Sequence, residues 1–420
     1  MSKQVTFIHA ADLHLGAPFR GLQALSDSWA KRLLSAIAES YQRVIDAAIE
    51  HQVDFVLIAG DVFDLAKASY ADYRCFFDGL NKLNESHIPV YLVTGNHDPY
   101  TSWQHRFFEF PPNTFMLPAD KPGFVVFEKD GEPLATIAGR GYFNQTWPSD
   151  ENIAEGITRE AAYASTGVYT PFVVGLLHTG LNIDTDKAPT NPNDLLRANL
   201  DYWALGHIHM RKILTPENPK IAFSGCIQGR DIGEVGERGI LKVTLTENAR
   251  NQAEFIPTAS VVWQRIKLDV SRCTSLSDVF DKIMRELFRE NGKAHCEEMC
   301  VRITLTGTTD LHNILEKPGV LAEMRQNIND SYPAFFCDSL INKTVQPYDK
   351  AALKKEGLFP AVFMQAAEAL RQEPGNEVAY LQDEFLKRNL TLPLSCEKKI
   401  DTLAQEAENL VLDLLNRNDS

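Results

Sequence analysis

Short apolar runs and helical-period stretches alternate through the opening of the chain. "VTFIHA" reads as a strand; Leu33, Leu34, Ile37, Tyr41, Val44, Ile45, Ala48 and Ile49 then recur at helical spacing, and "DFVLIAGD" follows as a buried strand. A second helical stretch, Ala71 to Leu83, leads to a third strand in "IPVYLVTGNHD". Strands that alternate with helices are joined by crossovers and therefore run parallel. The next strands, "PLATIAG", "FVVGLLHTG", "DYWALGHIH", "KIAFSGC" and "RGILKVTL", are mostly joined by short loops, which predicts a more β-rich half packed against the first.

From about Pro257 the pattern changes. "VVWQRIKLDV" reads as a strand, "LSDVFDKIMRELFREN" as an amphipathic helix, "EMCVRITLTG" as a strand and Leu311 to Ile328 as one helix, and "AFFCDSL" closes a β-α-β-α-β unit. Beyond Pro347 the chain is largely helical and charged, and Ile400, Leu403, Ala407, Leu410, Val411, Leu414 and Leu415 form an apolar stripe near its end. The expectation is an α/β chain in three parts, residues 1–259, 260–342 and 343–420.

Strands of the first part run out into polar side chains: "DLH" (Asp12, His14), "GDVFD" (Asp61, Asp64), "GNHD" (Asn96, His97, Asp98), "LLHTG" (His178) and "GHIH" (His207, His209). Alternate side chains of an extended segment share a face, so a strand end in "ALGHIHM" would aim both imidazoles at one place. Ligands of α/β sheets collect at the carboxyl ends of the strands, and the clusters should therefore converge on one edge. Carboxylates, imidazoles and one amide oxygen together suit manganese, iron or zinc, where an all-oxygen set would suit magnesium or calcium. Asp12, His14, Asp61, Asn96, His178, His207 and His209 are more ligands than one ion usually takes; two ions sharing a carboxylate would use them all.

The ordered set D-x-H, G-D-x-x-D, G-N-H-D, H and G-H-x-H resembles the calcineurin-like metallophosphoesterase superfamily, and all five motifs are present. The resemblance implies a four-layer β-sandwich flanked by helices and a pair of divalent ions, with manganese expected. It assigns Asp12, His14 and His209 to one ion and Asn96, His178 and His207 to the other, with Asp61 bridging. A water between the ions would attack phosphorus in line, and His97 would protonate the leaving oxygen or stabilise its charge. Asp98 would fix an imidazole tautomer, while Asp64 would support the site or cap its loop.

Within that superfamily, "FIHAADLHLG", "DFVLIAGDVFD", "IPVYLVTGNHDP" and "FSGCIQGRDIGEVGERG" look like the SbcD-type nuclease subunits of double-strand-break repair complexes. Such proteins carry a small α/β capping domain and a helical segment that docks an SMC-like coiled-coil ATPase. Residues 260–342 match the first by size and pattern, and the stripe from Ile400 matches either the docking helix or a helix packed on its own domain. The resemblance implies a DNA nuclease or exonuclease that works with the ATPase and forms a homodimer. The alternatives are a phosphodiesterase or phosphatase for small molecules and a binding subunit with a vestigial metal site; the last is disfavoured because no ligand is missing.

Composition narrows this in places. With 44% hydrophobic and 23% charged residues the chain is an ordinary globular one. A net charge of -14 opposes a protein that coats nucleic acid, though not one that meets phosphate through metal ions or a local basic surface. Arg265, Lys267, Arg272, Lys282, Arg285 and Arg289 are interleaved with acids and read as a solvated face. No window is apolar enough for a membrane span and no secretory signal is evident, so a cytoplasmic protein without a membrane partner is expected. Seven cysteines at irregular spacing suit reduced thiols, and His295, Cys296 and Cys300 lack the second half a zinc site needs. His9 reads as a satisfied core residue, and His51, His87, His105, His295 and His312 as surface or structural ones.

Overall fold

The alternation at the start of the chain is realised as β1 (Gln4–Ala10), α1 (Asp27–Glu50), β2 (Phe55–Ala59), α2 (Tyr70–Glu85) and β3 (Val90–Val93), followed by a short β4 (Thr114–Met116). The computed structural model describes residues 2–18, 27–64, 68–103, 109–184, 187–294, 298–348, 355, 359–372, 374–388, 390–391 and 400–417. α2 begins at a reciprocal cap: Ser69 Oγ accepts from the Asp72 amide, and the Asp72 carboxylate accepts from the Ser69 amide at 2.7 Å. The four strands pair in parallel in chain order. β2 and β3 are buried at every position, because α1 and α2 cover one face of their sheet and a second sheet covers the other.

That second sheet is built from β5 (Gly123–Lys129), β6 (Glu132–Arg140), β7 (Phe172–His178), β8 (Tyr202–Gly206), β9 (Lys212–Ile213) and β10 (Ile221–Phe223), in the order β5-β6-β7-β8-β10-β9. α3 (Arg159–Thr166) and α4 (Pro192–Arg197) lie along its connections, and apolar residues of that region pack on its outer face. β11 (Gly239–Thr246) and β12 (Gln252–Pro257) do not belong to this second half, as their position in the chain suggested. β11 returns to pair antiparallel with β1, which closes the open edge of the first sheet, and β12 continues outward from it.

Between the sheets, Phe7 stacks on Phe55 with ring centroids 4.8 Å apart and meets Tyr202 of the opposite sheet edge-on at 5.6 Å. His9 sits in this layer without access to solvent. Its Nδ1 lies 3.0 Å from the Tyr202 hydroxyl and its Nε2 3.1 Å from the Leu205 carbonyl, and burial lowers its pKa to about 3. It is a neutral, satisfied core residue.

The remainder comprises β13 (Val261–Asp269), α5 (Leu276–Asn291), β14 (Glu298–Thr308), α6 (His312–Leu315), α7 (Val320–Ser331) and β15 (Phe335–Val345), then α8 (Phe359–Gln372), α9 (Pro374–Lys387) and α10 (Ile400–Arg417). The three strands form a sheet in the order β13-β14-β15. The single helix expected from Leu311 to Ile328 is instead two, because Pro318 has no amide to donate and Gly319 takes φ +90°, outside helical geometry. By contacts the chain falls into two compact units. Met1–Arg265, Leu287–Arg302 and Ser331–Asp338 make one; Ile266–Glu286, Ile303–Asp330 and Ser339–Ser420 make the other. Among the described residues no helix is long and apolar enough to cross a membrane. The side chains of Ile400, Leu414 and Leu415 from the terminal stripe lie outside the described ones, as do His105, His295 and Cys296 entirely.

Candidate metal centre

The carboxyl ends of β1, β2, β3, β7 and β8 meet at one edge, and short hydrogen bonds tie them together. The Asp12 and His14 amides donate to the carbonyls of Gly60 and Asp61, 3.2 and 3.0 Å away. His178 Nδ1 lies 2.9 Å from the Ala59 carbonyl, and the His207 amide donates to both Asp12 carboxylate oxygens at 3.0 and 3.2 Å. All seven expected ligands come together here: Asp12, His14, Asp61, Asn96 and His178 are buried, and His207 and His209 are partly so.

The backbone at this edge is strained in a consistent way. Asp12, His14, Asp61 and His207 have φ of 51°, 49°, 52° and 98°, a region that non-glycine residues seldom occupy unless their surroundings hold them there. This corrects the expectation that His207 and His209 share a face of an extended strand. β8 stops at Gly206, and the left-handed turn at His207 brings both rings inward while Ile208 packs on the outer core of the second sheet. Glycines leading into two of the clusters make room for the β2 end: a Cβ at Gly95 would run into Asp61 Oδ1, and one at Gly206 into the Ala59 carbonyl.

Three imidazoles have their distant nitrogens fixed by acceptors. His178 Nδ1 faces the Ala59 carbonyl, His207 Nε2 faces Asp184 Oδ2 at 3.0 Å, and His209 Nδ1 faces Glu234 Oε1 at 2.5 Å. A carbonyl or carboxylate only accepts, so the proton of each neutral ring resides there and the other nitrogen presents a lone pair to the centre. The His178 lone pair meets Asn96 Oδ1 at 3.0 Å and Asp61 Oδ2 at 3.4 Å, and His207 Nδ1 meets the same Asn96 oxygen at 3.2 Å. Lone pairs gathered at such distances are what a cation between them would use. Two ligands bound at right angles about 2.1 Å from an ion are themselves roughly 3.0 Å apart, which is the separation seen here. On the other side His209 Nε2 lies 3.1 Å from His14 Nε2, whose own Nδ1 is buried without a hydrogen-bond partner. Asp12, His14 and His209 form one group of donor atoms within 4.8 Å of each other, and Asp12, Asp61 and His178 a second. These residues fit divalent cations.

The electrostatics agree. Burial pushes the Asp12 carboxyl up to about 6, with Asp61 adding to the rise and His209 opposing it. Burial lowers His14, His178 and His207, so that the rings are neutral and able to coordinate. His209 goes the other way: burial alone would lower it, but the Glu234 and Asp12 carboxylates raise it. Burial would raise Glu234, yet its bonds from His209 and Arg230 hold it down to about 2.

His97 is exposed at the mouth of the site. Its amide donates to Asp61 Oδ1 at 2.9 Å, its ring stands edge-on to His14 at 5.1 Å, and its Nδ1 lies 3.7 Å from Asp64 Oδ1. Asp64 thus sits beside His97. Asp98 does not fix an imidazole. Its carboxylate is taken up by backbone amides, those of Gly95 and Asp61 at 2.7 and 3.1 Å and that of Val62 at 2.8 Å, and so it clamps the turn after β3 to the turn after β2.

Asp184 and Glu234, which orient His207 and His209, are absent from the sequence-based expectation, as is Arg230, whose Nη2 lies 3.1 Å from both Glu234 and His209 Nδ1. Asp184 acts from a loop 23 residues before His207 and Glu234 from one 25 residues after His209, with no shared spacing. Only a search for carboxylates able to hold the outer nitrogen of each histidine would have raised them. Glu234→Gln should weaken divalent-ion affinity by roughly 10- to 100-fold, measured by competition with a chromophoric chelator; unchanged affinity would remove Glu234 from the site.

Residues 5–211 match the calcineurin-like phosphoesterase family, and residues 263–345 match the middle domain of metallophosphoesterase YhaO. The chain is 33% identical over 334 residues to an uncharacterized metallophosphoesterase, YhaO, of Bacillus subtilis, covering 79% of this chain and 78% of that one. It is also similar to proteins named DNA double-strand break repair protein Mre11. That of Thermoplasma acidophilum is 26% identical over 91% of this chain and 93% of its own. That of Methanococcus maripaludis is 39% identical over 22% of this chain and 23% of its own. With a convergent carboxylate, imidazole and amide donor set at the matched strand ends and a relative aligned over most of both chains, the chain belongs to the calcineurin-like metallophosphoesterase superfamily.

Proposed function

We propose that the protein hydrolyses phosphodiester bonds of DNA with two divalent ions, manganese in the native enzyme, bridged by Asp61. The observation that carries this reading is the convergence of His178, His207, Asn96 and Asp61 donor atoms in contacts of 3.0, 3.2 and 3.4 Å, beside a second group made by Asp12, His14 and His209. Bound ions supply the positive charge that lowers the pKa of an attacking water and offsets charge on the phosphoryl oxygens. The protein's own residues do the rest. Asp61 anchors the His97 amide, and Asp64 lies beside the His97 ring, so that the imidazole is held where it can give a proton to the leaving oxygen. His97 remains exposed, as a group that meets a large substrate at the surface must be.

DNA as the substrate is supported by the similarity to the Mre11 proteins, which spans nearly the whole chain in the Thermoplasma case. We further propose, from the sequence resemblance alone, that residues 260–342 cap the nuclease domain, that the helices beyond residue 343 dock a coiled-coil ATPase, and that the protein works as a homodimer. The test is an assay of purified protein on linear duplex DNA, single-stranded DNA and an aryl phosphodiester, with manganese or magnesium. Cleavage of DNA with manganese, lost in His97→Ala while metal content is kept, is expected. Turnover of the aryl ester or of nucleotides with DNA left intact would sink the nuclease reading.

A further inference from the structure

The rim beside the metal centre carries two exposed aromatic rings that the chemistry above leaves unused. The segment after β6 packs on the turn after β3: the Tyr142 amide donates to the Thr94 carbonyl, and the Tyr100 and Thr101 amides donate to the carbonyls of Tyr142 and Phe143 at 2.9 and 3.2 Å. Tyr142 turns inward, edge-on to His178 at 5.7 Å. Phe143, the next residue, turns outward and stacks on Tyr100, with ring centroids 6.0 Å apart and planes 19° from parallel. Both stay in contact with water, Tyr100 at 42% and Phe143 at 46%. They border an open cavity of about 630 Å³ whose wall includes Phe110, Met116, Pro118 and Asp120.

Tyr100 is three residues beyond His97, and Tyr142, which precedes Phe143, meets the ligand His178 edge-on, so both rings are carried by segments that also reach the metal centre. Resting on the nucleic-acid reading given above, we propose that Tyr100 and Phe143 form a stacking platform for a nucleobase next to the scissile phosphate. A flat aromatic face accepts any of the four bases, since each offers a π surface. It takes a base only when that base is out of the helix, which favours single strands and frayed ends over paired interior DNA.

Two diesters with the same leaving group isolate the effect: thymidine 5′-(p-nitrophenyl phosphate) and methyl p-nitrophenyl phosphate. The protein should prefer the thymidine ester by about tenfold in kcat/KM, the scale of one stacked base. The Tyr100→Ala and Phe143→Ala double variant should bring the ratio near one, while Tyr100→Phe with Phe143→Trp should keep it. Because both esters are read on one protein sample, partial misfolding or metal loss cancels from the ratio. A preference that persists in the double alanine variant overturns the platform, as does its absence in the unmodified protein. If DNA is cut but the ratio is unmoved, only the platform falls; if both esters are cleaved equally and DNA is left intact, the nucleic-acid reading falls with it.

Discussion

Asp61→Ala is expected to release both ions and to lower phosphodiester turnover by roughly 10³-fold, the loss of several kcal/mol of charge stabilisation. Its Oδ2 lies 3.4 Å from His178 Nε2 and 3.8 Å from His14 Nε2, so it borders both groups of donors, and its Oδ1 holds the His97 amide. One substitution thus opens both ion sites and frees the residue assigned the proton transfer. Asn96→Ala, by contrast, should weaken chiefly the ion held with His178 and His207, since it is those two rings that Asn96 Oδ1 faces. Elemental analysis alongside turnover separates the two. A single tightly held ion in the unmodified protein, unaffected by Asp61→Ala, would rule out a bridged pair.

Asp98→Ala should destabilise the metal-free protein by about 3 kcal/mol, because three buried amides lose their acceptor at roughly 1 kcal/mol or more each. Asp98 is fully buried, and its two oxygens serve the amides of Gly95, Asp61 and Val62. Asp98→Asn keeps the shape but points an NH₂ at one or more of those donors, so it should not rescue the fold. Urea unfolding in the presence of a chelator reads this directly. If both variants unfold at the midpoint of the parent, Asp98 is not the clamp described here. In either variant the metal centre should also lose affinity, since Asp61 sits in a left-handed backbone conformation that the clamp helps to hold.

The parallel strands and their order of polar endings were legible because burial and periodicity act locally: β2 and β3 are apolar throughout, and each ends at a glycine-bearing turn. The convergence of Asp12, His14, Asp61, Asn96, His178, His207 and His209 followed from the rule that such turns share an edge. What stayed hidden depends on tertiary geometry. The return of β11 to β1 is a pairing between residues more than two hundred positions apart, and a strand's sequence does not name its partner. The left-handed turn at His207 and the backbone-clamping role of Asp98 arise from contacts with other strands, not from the spacing of the motifs. Asp184 and Glu234 sit in loops, where no periodicity marks a residue that reaches back to a histidine.

Asp12, His14, Asp61 and Asn96 lie at strand ends of the first sheet, while His178, His207 and His209 lie at strand ends of the second. Neither sheet alone completes either group of donors: His209 joins Asp12 and His14, and Asp61 and Asn96 meet His178. The packing of Phe7, Phe55 and Tyr202 between the sheets therefore sets the distance across which those donors face each other. The integrity of the donor set becomes a property of the hydrophobic layer, so that a large-to-small change at Phe7 or Tyr202 should weaken divalent-ion binding without touching a single ligand.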